Sequence, residues 1–225
     1  MNDGNNRVLV LADDFTGAND AGVSLAEAGM SVEVAFTAGQ PSTARALILN
    51  SDSRAMSAAA AADKVAALLR GAATFVPHWQ VKKIDSTLRG NPGGELEAMM
   101  AAQGCRMAVV APAYPAAGRH TRDGRCYVHG VPLDQTEFAS DPKTPVRRAE
   151  ISEIIAMQSR LPCLTLNAGQ LPAALATAGG GSLRGAGSPP APQRAGPAAC
   201  GGRFDERDGA APGCCAAGPF PSTGD

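Results

Sequence analysis

Val8-Leu9-Val10-Leu11-Ala12-Asp13-Asp14-Phe15-Thr16-Gly17-Ala18-Asn19-Asp20 decides the fold, and Val81-Lys82-Lys83-Ile84-Asp85-Ser86-Thr87-Leu88-Arg89-Gly90-Asn91 repeats its pattern. Each is an apolar run that ends in a burst of polar and charged residues. A short continuous apolar run reads as a strand buried on both faces. In an open α/β sheet, ligands bind outside the carboxyl ends of the strands. Both polar bursts therefore fall where chemistry is expected.

The surrounding chain supports this reading. The first strand spans 7–12, and a helix over 18–29 follows, with Ala21, Leu25 and Ala28 at helical spacing and Gly29 as its stop. Strands are expected over 31–36, 46–50, 78–84 and 107–111. Helices are expected over 57–70, closed by Gly71, and over 93–103, introduced by Pro92. Strands alternating with helices of this length predict an α/β fold: a mostly parallel sheet flanked by helices, Rossmann-like. From 118 to 146 the pattern changes to long loops with a small antiparallel addition, marked by the Asp123-Gly124 turn and a strand over 125–128. A helix over 149–158 and a strand over 163–166 complete a domain taken to span 7–178.

Residues 179–225 read differently. They contain no Val, Ile or Met, and their large apolar side chains are Leu183, Phe204 and Phe220. Such a segment buries too little apolar surface to offset its ordering entropy. It reads as a disordered tail, or as an aberrant one produced by a frameshift in a GC-rich gene.

Composition excludes several function classes. Lys plus Arg number 20 against 21 Asp plus Glu, which gives no electrostatic case for nucleic acid or anionic membrane as partner. Aromatic residues make up 4% and apolar residues 44%, so the core is expected to be aliphatic and small. The polar start, 1–6, is not a secretory signal. No apolar run reaches the roughly 18 residues of a membrane span. A cytoplasmic location is the expectation. Cys105, Cys126 and Cys163 are scattered, without C-x-x-C pairing, and read as buried free thiols. His78, His120 and His129 lack metal-ligand spacing.

The candidate chemistry lies in the two bursts. A helix needs only one capping residue, and Asp13 with Asp14 exceeds that need. Ionised carboxylates accept hydrogen bonds from the hydroxyls of a polyhydroxy compound and repel phosphate. The loop also lacks the glycine and lysine pattern of a phosphate-binding loop. Lys83 and Asp85 face the same side of a strand, and Lys82 and Ile84 the other. Lys83 and Asp85 can hold a carboxylate and a hydroxyl together, or simply pair with each other. Ser86 and Thr87 add hydroxyls, and the planar fork of Arg89 suits a carboxylate. Arg54, after the third strand, reaches the same crevice. Arg119, Thr136 and Asp141 lie on loops able to close over it.

These motifs resemble the two signatures of the four-carbon acid sugar kinases. Asp13-Asp14-Phe15-Thr16-Gly17-Ala18-Asn19-Asp20 and Lys83-Ile84-Asp85-Ser86-Thr87-Leu88-Arg89-Gly90-Asn91 carry the resemblance. It continues through Ala111-Pro112-Ala113-Tyr114-Pro115, Gly118-Arg119, Asp123-Gly124, Asp141-Pro142 and Pro145-Val146, and runs from about Val8 to about Leu166. It implies the substrate-binding N-terminal domain of an enzyme that phosphorylates threonate, erythronate or 3-oxo-tetronate with ATP. It further implies Asp13, Asp14, Arg54, Lys83, Ile84, Asp85, Ser86 and Arg89 as substrate-binding residues. Asp14 or Asp85 would orient the reacting hydroxyl or take its proton. ATP and Mg²⁺ would be held by a C-terminal nucleotide-binding domain that this sequence does not show. The expected partner is a small acid sugar. The 225 residues are expected to bind it without phosphorylating it, and oligomeric state stays open.

Two rivals are a non-catalytic sugar-acid sensor and a Mg²⁺-dependent phosphatase of the haloacid dehalogenase type. The phosphatase pattern would put Ala12 at the nucleophile position, which counts against it.

Overall fold

The computed structural model describes residues 6–37, 39–167 and 169–174, with strand segments at 198–200 and 215–217. Its chain order begins β1 (Val8–Ala12), α1 (Phe15–Glu27), β2 (Val32–Ala35), β3 (Ala46–Asn50), α2 (Ala58–Gly71), β4 (Trp79–Lys83), α3 (Pro92–Gln103) and β5 (Ala108–Val110). There follow β6 (Arg119–Arg122), β7 (Arg125–Val128), β8 (Val131–Pro132), α4 (Ile151–Ala156), β9 (Cys163–Thr165), β10 (Ala198–Cys200) and β11 (Cys215–Ala217). Among the described residues the larger sheet runs β2-β3-β1-β4-β11-β5-β10-β9, and its pairings are parallel. The sequence-predicted α/β architecture is the observed one.

Strand β1 lies between β3 and β4, with Val10 opposite both Ile48 and Val81. Its alternation sorts two cores. Val8, Val10 and Ala12 pack with Ala18, Ala21 and Leu25 of α1. Leu9 and Leu11 pack on the other face with Val65, Leu68 and Leu69 of α2 and Met99 of α3. The chain leaves β1 toward β2 over one face, then crosses by α2 over the other face to β4. This is a topological switch point, and its crevice opens at the carboxyl ends of β1, β3 and β4.

The expected antiparallel addition is a three-stranded meander, β6-β7-β8. Asp123 and Gly124 both have positive φ, 50° and 76°, as a two-residue hairpin turn requires. A second such turn, at His129 (φ 48°) and Gly130 (φ 84°), joins β7 to β8 and was not read from the sequence. The meander packs through Cys126, Val128 and the following Leu133 onto Ile84, Leu88, Leu96 and Ile151. Burial pushes the Cys126 thiol up to about 12, so it is an inert core group.

Helix α1 starts three residues earlier than expected, because Asp14 is its N-cap and accepts from the Gly17 amide at 2.8 Å. The tail expected over 179–225 lies outside the described residues apart from Ala198–Cys200 and Cys215–Ala217. Those two pieces pair in the sheet beside β5, although their Ala and Cys content carries no strand signal.

A buried ion pair pins the underside of the crevice. Lys82 Nζ lies 2.8 Å from Glu95 Oε2, and both side chains are 1% exposed. Glu95 Oε1 accepts from Ser53 Oγ at 2.7 Å, and Ser53 and Ser51 share a 2.7 Å bond. Lys82 also donates to the Lys83 carbonyl at 2.9 Å. Strand β4, helix α3 and the loop after β3 are thereby tied together from below. Removing one partner of a buried pair leaves an uncompensated charge. Glu95→Ala is therefore expected to lower unfolding free energy by about 3–5 kcal/mol in urea titrations; a loss under about 1 kcal/mol contradicts the pinning role.

Candidate functional site

Three strand ends supply the crevice. β1 runs into Asp13 and Asp14, β3 into the loop that ends at Arg54, and β4 into 84–89. Arg54 stands at their meeting point. Its Nε donates to Asp13 Oδ2 at 2.7 Å and its Nη2 to Asp13 Oδ1 at 3.2 Å. Its Nη1 lies 2.6 Å from Asp14 Oδ2. The Asp13 carbonyl also accepts from the Ser53 and Arg54 amides at 2.9 and 3.2 Å. One aspartate thus holds both the backbone and the fork of Arg54. Burial alone would lower the guanidinium pKa. The Asp13 hydrogen bond and the charges of Asp13, Asp85 and Asp14 outweigh it and hold the pKa above its ordinary value.

Gly90 (φ 88°) lies against this arginine. A Cβ there would be 3.1 Å from Arg54 Cγ and 3.3 Å from the Arg54 carbonyl. The glycine of the second motif therefore serves close packing beneath Arg54.

Asp85 is buried and multiply bonded. Its Oδ2 accepts from Thr87 Oγ1 at 2.5 Å and Arg89 Nε at 2.6 Å, and its Oδ1 accepts from Arg89 Nη2 at 3.3 Å. Its carbonyl accepts from the Leu88 amide at 2.8 Å, closing a turn in which buried Leu88 takes φ 56°. A non-glycine residue held there costs on the order of 1–3 kcal/mol, which the surrounding bonds must outweigh. Burial pushes the Asp85 carboxyl up, but the hydrogen bonds from Arg89 and Thr87 and the charges of Arg89 and Arg54 prevail, holding it below the usual carboxylate range. Asp85 in turn raises the pKa of Arg89 through its hydrogen bond.

The fork of Arg89, expected to be open to a carboxylate, is thus occupied by Asp85, with Asp141 Oδ2 3.6 Å from its Nη1. Lys83 and Asp85 do not pair: among the described residues Lys83 forms no ion pair, only a 3.4 Å contact from its Nζ to the Ile84 carbonyl. Ile84 itself is 4% exposed and its side chain lies in the core. Lys82 faces away from Lys83, as the strand alternation requires.

The resulting cleft has a volume of about 550 Å³. Asp14, Arg54, Lys83, Asp85, Ser86 and Arg89 line it, while Asp13 stands behind Arg54. Arg119 enters from β6 and donates from Nη1 to Ser86 Oγ. The guanidinium groups of Arg89 and Arg119 lie 5.4 and 5.8 Å from the Phe138 ring centroid. Asp141 reaches the cleft only through Arg89. Thr136 does not line it, and its hydroxyl donates to the Leu133 carbonyl at 2.6 Å.

Helix α1 lines the cleft as well, through Thr16, Asp20 and Ser24. The sequence reading missed these residues. Their signal was a polar stripe at four-residue spacing along one face of the helix. Tyr114, after β5, was missed as a site residue as well.

Among the described residues no group of three or more His, Cys, Asp or Glu side chains could hold a metal ion. The two most central carboxylates, Asp14 and Asp85, are engaged by arginines. The described residues thus offer no ready-made cage of protein ligands for a divalent cation. Nor is any helix among the described residues long and apolar enough to cross a membrane.

A family model described as a sugar-binding N-terminal domain matches residues 8–187, and the chain belongs to that family. The chain is 52% identical over 159 residues to a D-threonate kinase of Salmonella typhimurium, a match covering 69% of this chain and 38% of the relative. It is 40% identical over 159 residues to a D-erythronate kinase of Heliobacterium modesticaldum, covering 68% of this chain and 36% of the relative. The chain therefore spans under two fifths of the length of these curated relatives. A crystal structure of a Bordetella bronchiseptica domain of unknown function, a domain-swapped dimer with bound citrate, superposes with TM-score 0.75 at 28% identity. That superposition covers 96% of this chain and 55% of the other.

The electrostatics of Asp85 have a measurable consequence. Its folded pKa lies below its unfolded value, so its stabilisation is complete above the ordinary carboxylate range and is lost as pH falls through the folded value. The stability difference between wild type and Asp85→Asn, measured by urea unfolding, should shrink between about pH 5 and about pH 2. A difference constant over that range contradicts the assignment.

Proposed function

We propose that the cleft holds a four-carbon sugar acid such as threonate or erythronate, and that this domain presents the acid's terminal hydroxyl for phosphorylation by ATP. One observation carries the reading: arginines and carboxylates alternate around a water-open cleft at the switch point, suited to a small molecule bearing both a carboxylate and hydroxyls. The curated relatives are kinases of such acids, and the structural relative holds citrate, itself a hydroxylated carboxylate.

Phosphoryl transfer passes through a loose transition state, so catalysis rests on positioning and charge stabilisation more than on a strong base. This suits the two aspartates. Asp85, with its lowered pKa, is a poor proton acceptor and positions the 86–89 turn. Asp14 accepts once on each oxygen, from the Gly17 amide and from Arg54, which leaves acceptor capacity on both for a substrate hydroxyl. Asp14 is therefore our choice for orienting the reacting hydroxyl. ATP and its Mg²⁺ would be held mainly by protein outside the described residues, and the 225 residues on their own would bind the acid without turning it over.

Calorimetric titration of the purified 225-residue protein with threonate and erythronate tests the reading. Binding of at least one acid is expected, with neutral four-carbon polyols much weaker. Arg54→Ala and Lys83→Ala should each weaken binding by about tenfold to a hundredfold, as loss of a charge-assisted hydrogen bond implies. Binding of nucleotides or neutral sugars in preference to the acids would contradict it.

A further inference from the structure

The charges lining the cleft are not equivalent. Arg54 is compensated by Asp13 and Asp14, and Arg89 by Asp85 and Asp141. Lys83 and Arg119 also line the cleft, and among the described residues neither has a carboxylate partner. Arg119 Nε is buried without a hydrogen-bond partner. Its Nη1 is spent on Ser86 Oγ, and its fork lies 5.8 Å from the Phe138 ring, which limits its freedom. Gly17 crowds the other cation: a Cβ there would lie 3.3 Å from Lys83 Nζ and 2.8 Å from Asp14 Oδ1, so the absence of a side chain keeps the ammonium group in place.

From this asymmetry we infer that Lys83 and Arg119 are the pair that reads the substrate's carboxylate, with Arg119 the specificity-determining residue the antiparallel meander adds to the cleft. The inference rests on the proposed acid-sugar function and deepens it. An arginine already paired with one or two aspartates offers little net attraction to another anion. It serves better as a rigid hydrogen-bond donor to hydroxyls. An unpaired ammonium and an unpaired guanidinium both gain a missing counter-charge when a carboxylate enters. The parallel sheet thus supplies the hydroxyl-binding groups and one cation, Lys83. The β6 strand supplies the second cation through Arg119 and locks Ser86 on the way. In this arrangement the meander acts as the discriminator between sugar acids and neutral polyols.

The test compares the acid with its uncharged amide, for example threonate with threonamide, titrated calorimetrically into the wild-type 225-residue protein and into the variants Arg119→Gln, Arg119→Lys and Ser86→Ala. Wild type should prefer the acid. Arg119→Gln should lose about tenfold or more of acid affinity while leaving amide affinity within about threefold, collapsing the preference. Arg119→Lys should restore part of it, since the charge returns without the planar fork. Ser86→Ala should weaken both ligands alike and keep their ratio. Arg119→Gln with an unchanged acid-to-amide ratio overturns the inference, whether both affinities hold or both fall. A wild-type protein that binds no four-carbon acid overturns the proposed function, and the inference with it. Wild-type binding combined with an unchanged ratio overturns the inference alone.

Discussion

The grip of Asp13 on Arg54 is the interaction on which the rest of the site depends. Asp13 lies directly after the central strand, and its carbonyl and carboxylate hold the backbone and the fork of a residue 41 positions away. Because β1 and β3 are adjacent and in register from Val8↔Ala46 to Ala12↔Asn50, their ends emerge side by side, and the contact requires no further adjustment. Asp14 then serves twice. It caps α1, fixing where that helix begins, and it closes the second side of the Arg54 clamp. The sequence posed capping and ligand binding as alternatives for the two aspartates. The fold divides the work, giving Asp13 to Arg54 and leaving Asp14 at the cleft surface.

The two lysines at the end of β4 show how strand alternation separates structure from chemistry. Lys82 turns inward, where only a fully buried carboxylate makes its charge tolerable, and Glu95 of α3 supplies it. Lys83 turns to the cleft and, among the described residues, forms no ion pair. The inward pair does not touch the cleft, yet through Ser53 it holds the loop that carries Arg54, and through the Lys83 carbonyl it holds the strand end that carries Lys83. The two faces of one strand therefore support one another across the sheet.

Much of the fold was legible because its signals are local. Continuous apolar runs marked β1 and β3, alternating strands and helices marked the parallel sheet, and Asp123-Gly124 marked the hairpin. The site was legible as a set of residues, but not in its pairing. Nothing in the spacing says that Arg89 turns back on Asp85 four residues earlier, or that Arg119 reaches Ser86 across 33 positions, because those contacts are made by the turn at Leu88 and by the meander. Ile84 came with its motif, but alternation puts its side chain in the core. The His129-Gly130 turn passed unread because His-Gly is not among the Asn-Gly, Asp-Gly and Gly-Gly pairs that mark a two-residue hairpin. Thr16, Asp20 and Ser24 passed unread because a polar stripe on a helix ordinarily faces solvent, and here it faces a cleft.

The central claim is that compensated arginines position the sugar hydroxyls and uncompensated cations take the carboxylate. A crystal structure of the 225-residue protein with bound threonate or erythronate tests it most directly. The account predicts the ligand's carboxylate between Lys83 and Arg119, a hydroxyl on Asp14, and Arg54 still held by Asp13. A ligand whose carboxylate displaces Asp13 from Arg54, or which sits instead in the smaller pocket beside Lys143, Arg147 and Arg148, would contradict it.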